Sequence, residues 1–237
     1  MSDLSSIRQE QAVWAADDSL GFYRSHRNQP GDLYESERFF LPDVLTQVKS
    51  VLDVGCAAGG FSRIMRAFNP TLRYVGVDII PEFIELARTD YPDSDFHVSD
   101  GITFPFSPGS FDLVHCSGLL HLNSHYQEMV RAMWDQTSRY LLCDFRLTRE
   151  HSVTGEIDVE FGGGKSGKSL PYQVINVDEL LLFLQSLVPA PASIRARGYN
   201  HSVSRSARVL LNSVIMAFFL LERSSTAETR VELALGD

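Results

Sequence analysis

The chain is short of positive charge: its 237 residues carry 21 Lys and Arg against 30 Asp and Glu, a net charge of −9. Grip on a nucleic-acid backbone comes from clustered Lys and Arg, and no basic run interrupts this sequence, so no nucleic-acid partner is expected. An acidic small molecule held by a few local arginines is not excluded. Cysteine is scarce too. Cys56, Cys116 and Cys143 are an odd number, widely spaced, each in or beside an apolar run. That spacing suits neither paired disulfides nor a metal cage, and it reads as reduced thiols in a reducing compartment. No His/Cys/Asp cluster has metal-ligand spacing, so no metal is expected. Long apolar runs are also missing: "VIMAFFLLE" near the end is about half the ~20 residues a membrane span needs. The first residues, "MSDLSSIRQEQAVW", show no basic region followed by an apolar one. A cytoplasmic location with no membrane partner is therefore expected.

What is present fits an ordinary globular chain, 44% hydrophobic and 22% charged, able to bury one full core with a small appended cap. Residues 1–48 are polar and punctuated by aromatics, and they read as an N-terminal helical cap or lid. They close in "LYESERFFLPDVLTQV", where Leu33, Phe40, Val44 and Val48 recur at helical spacing. From 49 to 225, strand-like stretches ("SVLDVGC", "RYVGVDI", "DFHVSD", "SFDLVHCSG", "RYLLCDFRL") alternate with helix-like ones. The helices include "PEFIELARTDY", with Pro81 in its first turn, and "SHYQEMVRAMWDQT". A loop is expected over about 147–177. Then come a helix, "DELLLFLQSL", and two strands, "SIRARGYN" and "ARVLLNSVIMAFFLLER", which have no helix between them and so should be antiparallel neighbours. Residues 226–237 are expected to be a flexible tail. The alternation predicts an α/β fold, a mostly parallel sheet with helices on both faces.

Two glycine-rich stretches compete for the function. "FGGGKSGKS" fits the phosphate-loop formula G-x-x-x-x-G-K-[ST] through Gly162, Gly167, Lys168 and Ser169. Such a loop needs a helix opening at the Lys-Ser pair, but Pro171 forces Leu170 out of helical geometry. The stretch reads instead as a flexible loop whose Lys165 and Lys168 can meet an anion. "VLDVGCAAGG" meets its context requirement: a buried strand precedes it and a helix, "FSRIMRAF", follows. There the glycines let a ligand approach the backbone at a helix N-terminus. The next strand ends at Asp78, roughly two dozen residues on, where a carboxylate can accept both ribose hydroxyls. Counting from Gly55, Ala57 stands where the second glycine of a dinucleotide loop meets the pyrophosphate, which disfavours NAD. Asp53 adds a carboxylate, better suited to a cationic ligand than to a diphosphate.

Taken together, these stretches resemble the class I S-adenosylmethionine-dependent methyltransferases, over residues 33–222. "LDVGCAAGG" is similar to the family's first motif, D-x-G-x-G-x-G, with Ala57 in place of the middle glycine, and implies cofactor contacts at Asp53, Gly55, Cys56, Ala57 and Gly59. "VGVDII" resembles the second motif, with Asp78 as the ribose-binding acid and Ile79 beside it. "FHVSDGITFPF" resembles the third, which implies Asp100 at the adenine amino group with Gly101 and Ile102 near the ring. "SFDLVHCSGLLHL" looks like the strand and turn that wall the methyl-transfer pocket, Cys116 included. The resemblance implies a seven-stranded sheet whose last strand is antiparallel, and S-adenosyl-L-methionine as cofactor. Its sulfonium is a cation, so carboxylates and not lysines belong near it. Transfer is an in-line displacement in which positioning supplies much of the catalysis.

On the acceptor side His121 is the general-base candidate, or else a structural turn histidine. Arg146, with Asp144, either clamps a carboxylate or phosphate or closes an ion pair. Tyr23, Arg24, His26, Arg27 and Tyr34 form either a lid that recognises the acceptor or a solvated arm. Tyr172 and Asn176 are placed to close the pocket from the other side. The expected activity is methyl transfer to a small-molecule or sugar-like acceptor at a hydroxyl, with a homodimer as a compatible assembly. Three alternatives remain at this point: a cofactor-binding subunit or sensor without turnover, an NAD-linked oxidoreductase, and an NTPase acting through Lys168.

Overall fold

The protein is described by a computed structural model covering residues 12–14, 19–161, 164–224 and 229–236. A twisted sheet runs through the molecule, and its central strands are apolar on both faces. β1 (Ser50–Val54) is buried along its whole length, as a parallel strand covered on both sides must be. It pairs in parallel with β2 (Arg73–Asp78) on one side and β4 (Phe111–Cys116) on the other. β3 (Asp95–Val98) extends the sheet beyond β2, and β5 (Thr137–Thr148) extends it beyond β4. The chain therefore reverses its direction of travel across the sheet between β1 and β4. This switch point opens a crevice at the carboxyl ends of the strands.

β10 (Ser213–Glu222) lies antiparallel to both β5 and β8 (Ser193–Ser202), so the expected antiparallel neighbours are present. The sheet is larger than the seven strands expected: among the described residues it has eleven, in the order β11-β8-β10-β5-β4-β1-β2-β3 with β6, β7 and β9 branching from it. Two expectations fail for this reason. The stretch expected as a loop forms a hairpin, β6 (Val153–Phe161) against β7 (Gly164–Asn176), with the short β9 (Ala207–Arg208) along β6. Its apolar residues Val159, Leu170 and Val174 are buried against Leu122 and Val214, and this burial orders a segment whose composition resembles that of a loop. The residues expected as a tail supply β11 (Arg230–Ala234), parallel to β8 and followed by the buried Leu235.

Period-2 alternation along each strand sorts the core into two layers. Leu52 and Val54 face the side covered by α5 (Tyr126–Gln136) and α6 (Val177–Gln185). Val51, Tyr74 and Leu113 face α2 (Glu35–Leu45) and α3 (Gly60–Phe68), and α4 (Pro81–Asp90) adds Ile84 and Ala87 to that layer. Pro81 occupies the first turn of α4, where its missing N–H costs nothing. Asn176, expected at the pocket, instead caps α6: its side chain accepts from the N–H groups of Asp178 (2.9 Å) and Glu179 (3.1 Å). Within the N-terminal segment, α1 (Ser19–Ser25) packs across the carboxyl ends of the strands, with Phe22 and Tyr23 against the hairpin cluster. Among the described residues no helix is long and apolar enough to cross a membrane.

Candidate functional site

Two cavities open along the switch-point crevice. The first is walled by the ends of β1, β2 and β4 and the turn after β3: Gly55, Asp78, Asp100, Gly101, Ser117 and Leu119 are on its lining. Gly55 takes φ 78° and its N–H donates to the Val77 carbonyl at 2.8 Å, which turns the chain sharply out of the sheet. Gly101 takes φ 77°, the left-handed region that favours glycine, and a Cβ there would stand 2.5 Å from the flexible Met129 methyl. Asp78 accepts from the backbone N–H groups of Ala57 (2.9 Å) and Ile80 (3.0 Å). Burial pushes its carboxyl up to about 6, against the opposing pull of those N–H bonds. Asp100 accepts from Ile102 (3.0 Å) and Thr103 (2.7 Å), which fixes its side chain at the cavity wall.

The electrostatics of this first cavity are one-sided. Among the described residues its lining includes the carboxylates of Asp78 and Asp100 but no lysine, arginine or histidine. A diphosphate would meet no counter-charge there. An uncharged nucleoside joined to a cation fits: the carboxylates are hydrogen-bond acceptors for hydroxyl and amino groups, and Val77, Ile79, Phe83 and Met129 offer apolar walls to a ring.

The second cavity, of about 430 Å³, adjoins the first, and Trp14, Tyr23, Gly55, Ala57, Ser117 and Gly118 line both. It is bounded by the N-terminal segment (Phe22, His26, Arg27, Tyr34), by Phe61 of α3, and by Ile157, Val159 and Leu170 of the hairpin. His121 and Arg146 reach its wall from the ends of β4 and β5. Arg146 donates to Asp144 at 2.6 Å, and Asp144 also accepts from the Gly118 N–H at 2.6 Å. Burial alone would raise the Asp144 carboxyl, but Arg146 beside it holds it below its usual range. His121 is buried against Tyr172, ring centroids 5.7 Å apart, and its Nδ1 has no hydrogen-bond partner among the described residues. Burial, reinforced by Arg146, lowers its pKa to about 3, so the imidazole is neutral at physiological pH.

A chain of alternating charges lies beneath this second cavity, between the sheet and α2. Asp53 and His115 are lateral partners on β1 and β4, and His115 Nδ1 meets Asp53 at 2.7 Å. His115 Nε2 meets Glu37 at 3.1 Å, and Glu37 in turn pairs with Arg27. Tyr74 donates its hydroxyl to Asp53 at 2.5 Å. Burial by itself would lower the His115 pKa, but the hydrogen bonds it donates to Asp53 and Glu37 outweigh it and raise it to about 9.

Most residues singled out from the sequence converge here. Gly55, Ala57, Asp78, Ile79, Asp100, Gly101 and Tyr23 line the first cavity. Cys56, Arg27, Tyr34, His121, Arg146 and His26 line the second. Several are placed elsewhere. Asp53 has both oxygens engaged by His115 and Tyr74 and lines neither cavity. Gly59 is the left-handed residue before α3, packed on Phe96. Cys116 is fully buried in the core with Cys143, and Ile102 packs against that core. Tyr172 lies behind His121, not on the cavity surface. Arg24 is paired with Asp90 at 2.9 Å.

The phosphate-loop match has lost its helix: residues 164–176 are strand β7, and Ser169 donates to Glu156 at 3.3 Å. Gly162 and the Lys165 side chain lie outside the described residues, and Lys168 lines neither cavity. Sequence reasoning missed Trp14, Ser117, Asn123 and Met129 at the first cavity, and Glu37, Phe61 and His115 at the second. His115 did carry a signal, as a histidine in the otherwise apolar strand "FDLVHC".

Residues 51–140 match the model of a methyltransferase domain. The demethylmenaquinone methyltransferase of Deinococcus radiodurans is 28% identical over 90 residues, 36% of this chain and 37% of that protein. The chain thus spans little more than a third of the length of the curated relatives it matches. Among solved structures, an S-adenosylmethionine-dependent methyltransferase from Methanosarcina mazei superposes with a TM-score of 0.59 at 17% identity, covering 81% of this chain and 98% of the other. The sugar N-methyltransferase KedS8 from Streptoalloteichus superposes at 0.54 and 15% identity, covering 86% and 92%. These likenesses carry the fold, a mixed α/β Rossmann-like domain. Residues 51–140 thus match a methyltransferase domain, on a fold shared with a solved S-adenosylmethionine-dependent methyltransferase, and the carboxylate-lined first cavity fits S-adenosyl-L-methionine.

Proposed function

We propose that the protein transfers a methyl group from S-adenosyl-L-methionine to a small-molecule or sugar-like acceptor, at a hydroxyl. The observation that carries this reading is the pair of adjoining cavities, one lined by carboxylates without a basic residue and the other containing a neutral histidine. When bound, the cofactor supplies a methyl group made electrophilic by the sulfonium. Asp78 would accept the ribose hydroxyls and Asp100 the adenine amino group, while Gly55, Ala57 and Gly101 permit close approach to the backbone. Residues lining both cavities, Ser117 and Gly118 among them, mark where the two ligands would meet. The free Nδ1 of His121 is an acceptor for the proton of an acceptor hydroxyl, and Arg146, fixed by Asp144, would orient the rest of that molecule. Tyr23, Arg27 and Tyr34 would close over both ligands as a lid, with water excluded by the hairpin on the other side.

Sugar-methylating fold neighbours support a sugar-like acceptor, and the aromatic wall formed by Phe22, Tyr34 and Phe61 supports stacking against a ring. The test is calorimetry with S-adenosylmethionine and S-adenosylhomocysteine, followed by a labelled-methyl screen of small hydroxylated acceptors. Micromolar affinity is expected, about −8 kcal/mol, largely lost in Asp78→Ala. Unchanged affinity in that variant would remove the site assignment. Tight cofactor binding without turnover on any acceptor would leave a cofactor-binding subunit as the function.

A further inference from the structure

Arg27 is held on several sides at once, and among its side-chain nitrogens Nε is left unanswered. Its guanidinium lies over the Tyr34 ring (4.1 Å) and the Phe61 ring (4.8 Å). One terminal nitrogen donates to Ser117 Oγ at 2.8 Å and the other pairs with Glu37. Nε is buried and has no hydrogen-bond partner among the described residues, although Arg27 lines the second cavity. The side chain is 10% exposed. A buried, unanswered N–H is costly, and ligand binding is one way to satisfy it. The backbone adds to the constraint, since Arg27 has φ 51°, the left-handed region that a non-glycine residue enters at a cost.

Glu37 would neutralise Arg27 if the pair stood alone, but it does not. Ionised carboxylates only accept hydrogen bonds, so an imidazole with Asp53 at 2.7 Å and Glu37 at 3.1 Å must carry a proton on both nitrogens. Arg27, Glu37, His115 and Asp53 thus balance two positive charges with two negative ones, and what Arg27 offers a ligand is its unanswered Nε–H. Asp53 is further engaged by Tyr74, and Glu37 by the Tyr34 N–H at 3.2 Å. The rings of Phe61 from α3 and Phe218 from β10 lie 4.8 Å and 6.4 Å from the His115 ring. The arrangement ties β1, β4 and α2 to the N-terminal segment through buried charge pairs, which hold geometry even where they add little net stability.

Resting on the proposed function, we infer that Arg27 is a carboxylate-recognition residue of the second cavity, and that the imidazolium of His115, bridging Asp53 and Glu37, is the positioning residue that fixes it there. The cationic groups agree with this: the guanidinium groups of Arg27 and Arg146 line the second cavity, whose lining carboxylate Asp158 is 3.3 Å from Arg208. The carboxylate can belong to the amino-acid end of the methyl donor or to the acceptor, and the two sources are separable.

The experiment is calorimetry on the full chain with S-adenosylhomocysteine, with 5′-methylthioadenosine, which lacks the amino-acid carboxylate, and with benzoate added to protein saturated with S-adenosylhomocysteine. If the donor supplies the carboxylate, Arg27→Gln weakens S-adenosylhomocysteine by about tenfold or more and leaves methylthioadenosine unchanged. If the acceptor supplies it, the same variant spares both nucleosides and loses benzoate. Binding of all three within about twofold of wild type in Arg27→Gln would overturn the inference. His115→Gln is expected to reproduce the loss seen in Arg27→Gln while sparing methylthioadenosine, and wild-type discrimination in that variant would overturn the positioning role. Should His115→Gln not fold, the nitrogen chemical shifts of the His115 ring in the wild type decide: both protonated at pH 7 supports the role, and a neutral tautomer removes it. Failure of the wild type to bind either nucleoside would instead defeat the proposed function.

Discussion

At the residue scale the molecule pairs functional placement with electrostatic cost, most clearly at Asp78. Its carboxyl is pushed up to about 6 by burial, while an unfolded chain would show the ordinary value of 3.8. The raised folded value means that native protein holds the proton longer than unfolded protein, so unliganded stability falls as pH rises from the ordinary value towards 6. Asp78→Asn should therefore raise the melting temperature more at pH 8 than at pH 4, measured by thermal denaturation without ligand. Donor affinity should run the other way: in the wild type it declines as pH falls through about 6 and the carboxylate is lost, and in Asp78→Asn it is weak and flat. His121 makes a contrasting case. With its pKa lowered to about 3, it cannot produce a limb in kcat between roughly pH 5 and 9 when donor is saturating. A His121-dependent limb near pH 6.5 would contradict the buried, neutral imidazole.

At the element scale, the N-terminal segment and the β6–β7 hairpin both bound the second cavity. The contact between the segment and the glycine turn is close. A Cβ on Gly60, the first residue of α3, would stand 2.8 Å from the Arg27 carbonyl oxygen. The clash is with backbone, so Gly60→Ala must displace the segment. The expected outcome is a fall in ligand affinity by calorimetry together with a lowered melting temperature. The hairpin differs: Leu170 and Val159 are buried in its cluster, so Leu170→Ala should cost about 2–4 kcal/mol in urea denaturation. The first cavity contains no hairpin residue, so donor affinity in the folded variant should be unchanged. The two elements were not equally legible beforehand. The N-terminal aromatics stood out in the sequence as either a lid or a solvated arm, whereas the hairpin's glycines and serines hid alternate burial that its packing on Leu122 and Val214 creates.

At the scale of the whole molecule, the sheet's far edge is closed by β11, which the composition of the last residues concealed. Its partner β8 would otherwise present an open edge, and Leu235 after it is buried while Arg149 donates to the Gly236 carbonyl at 2.6 Å. A chain ending at residue 224 should lose roughly 2–3 kcal/mol of stability in urea denaturation and become prone to association by gel filtration. Donor binding should survive in it, since the crevice lies at the opposite half of the sheet.

The sequence by itself determined the alternating α/β order, the glycine turn after β1, the acids at the ends of β2 and β3, and the rejection of the phosphate-loop match. Each of these is local: a strand's apolar run, a glycine where the chain must turn, a proline that stops a helix. Tertiary structure decided what depends on residues far apart in the chain. Asp53 turned from the crevice to His115 because strand alternation points it beneath α2, and Glu37 joined them from 78 residues away in sequence. Cys116 went to the core for the same reason of alternation, on the opposite face. Charge pairing and burial act through space, and a single linear pattern does not encode which distant side chain will supply the partner.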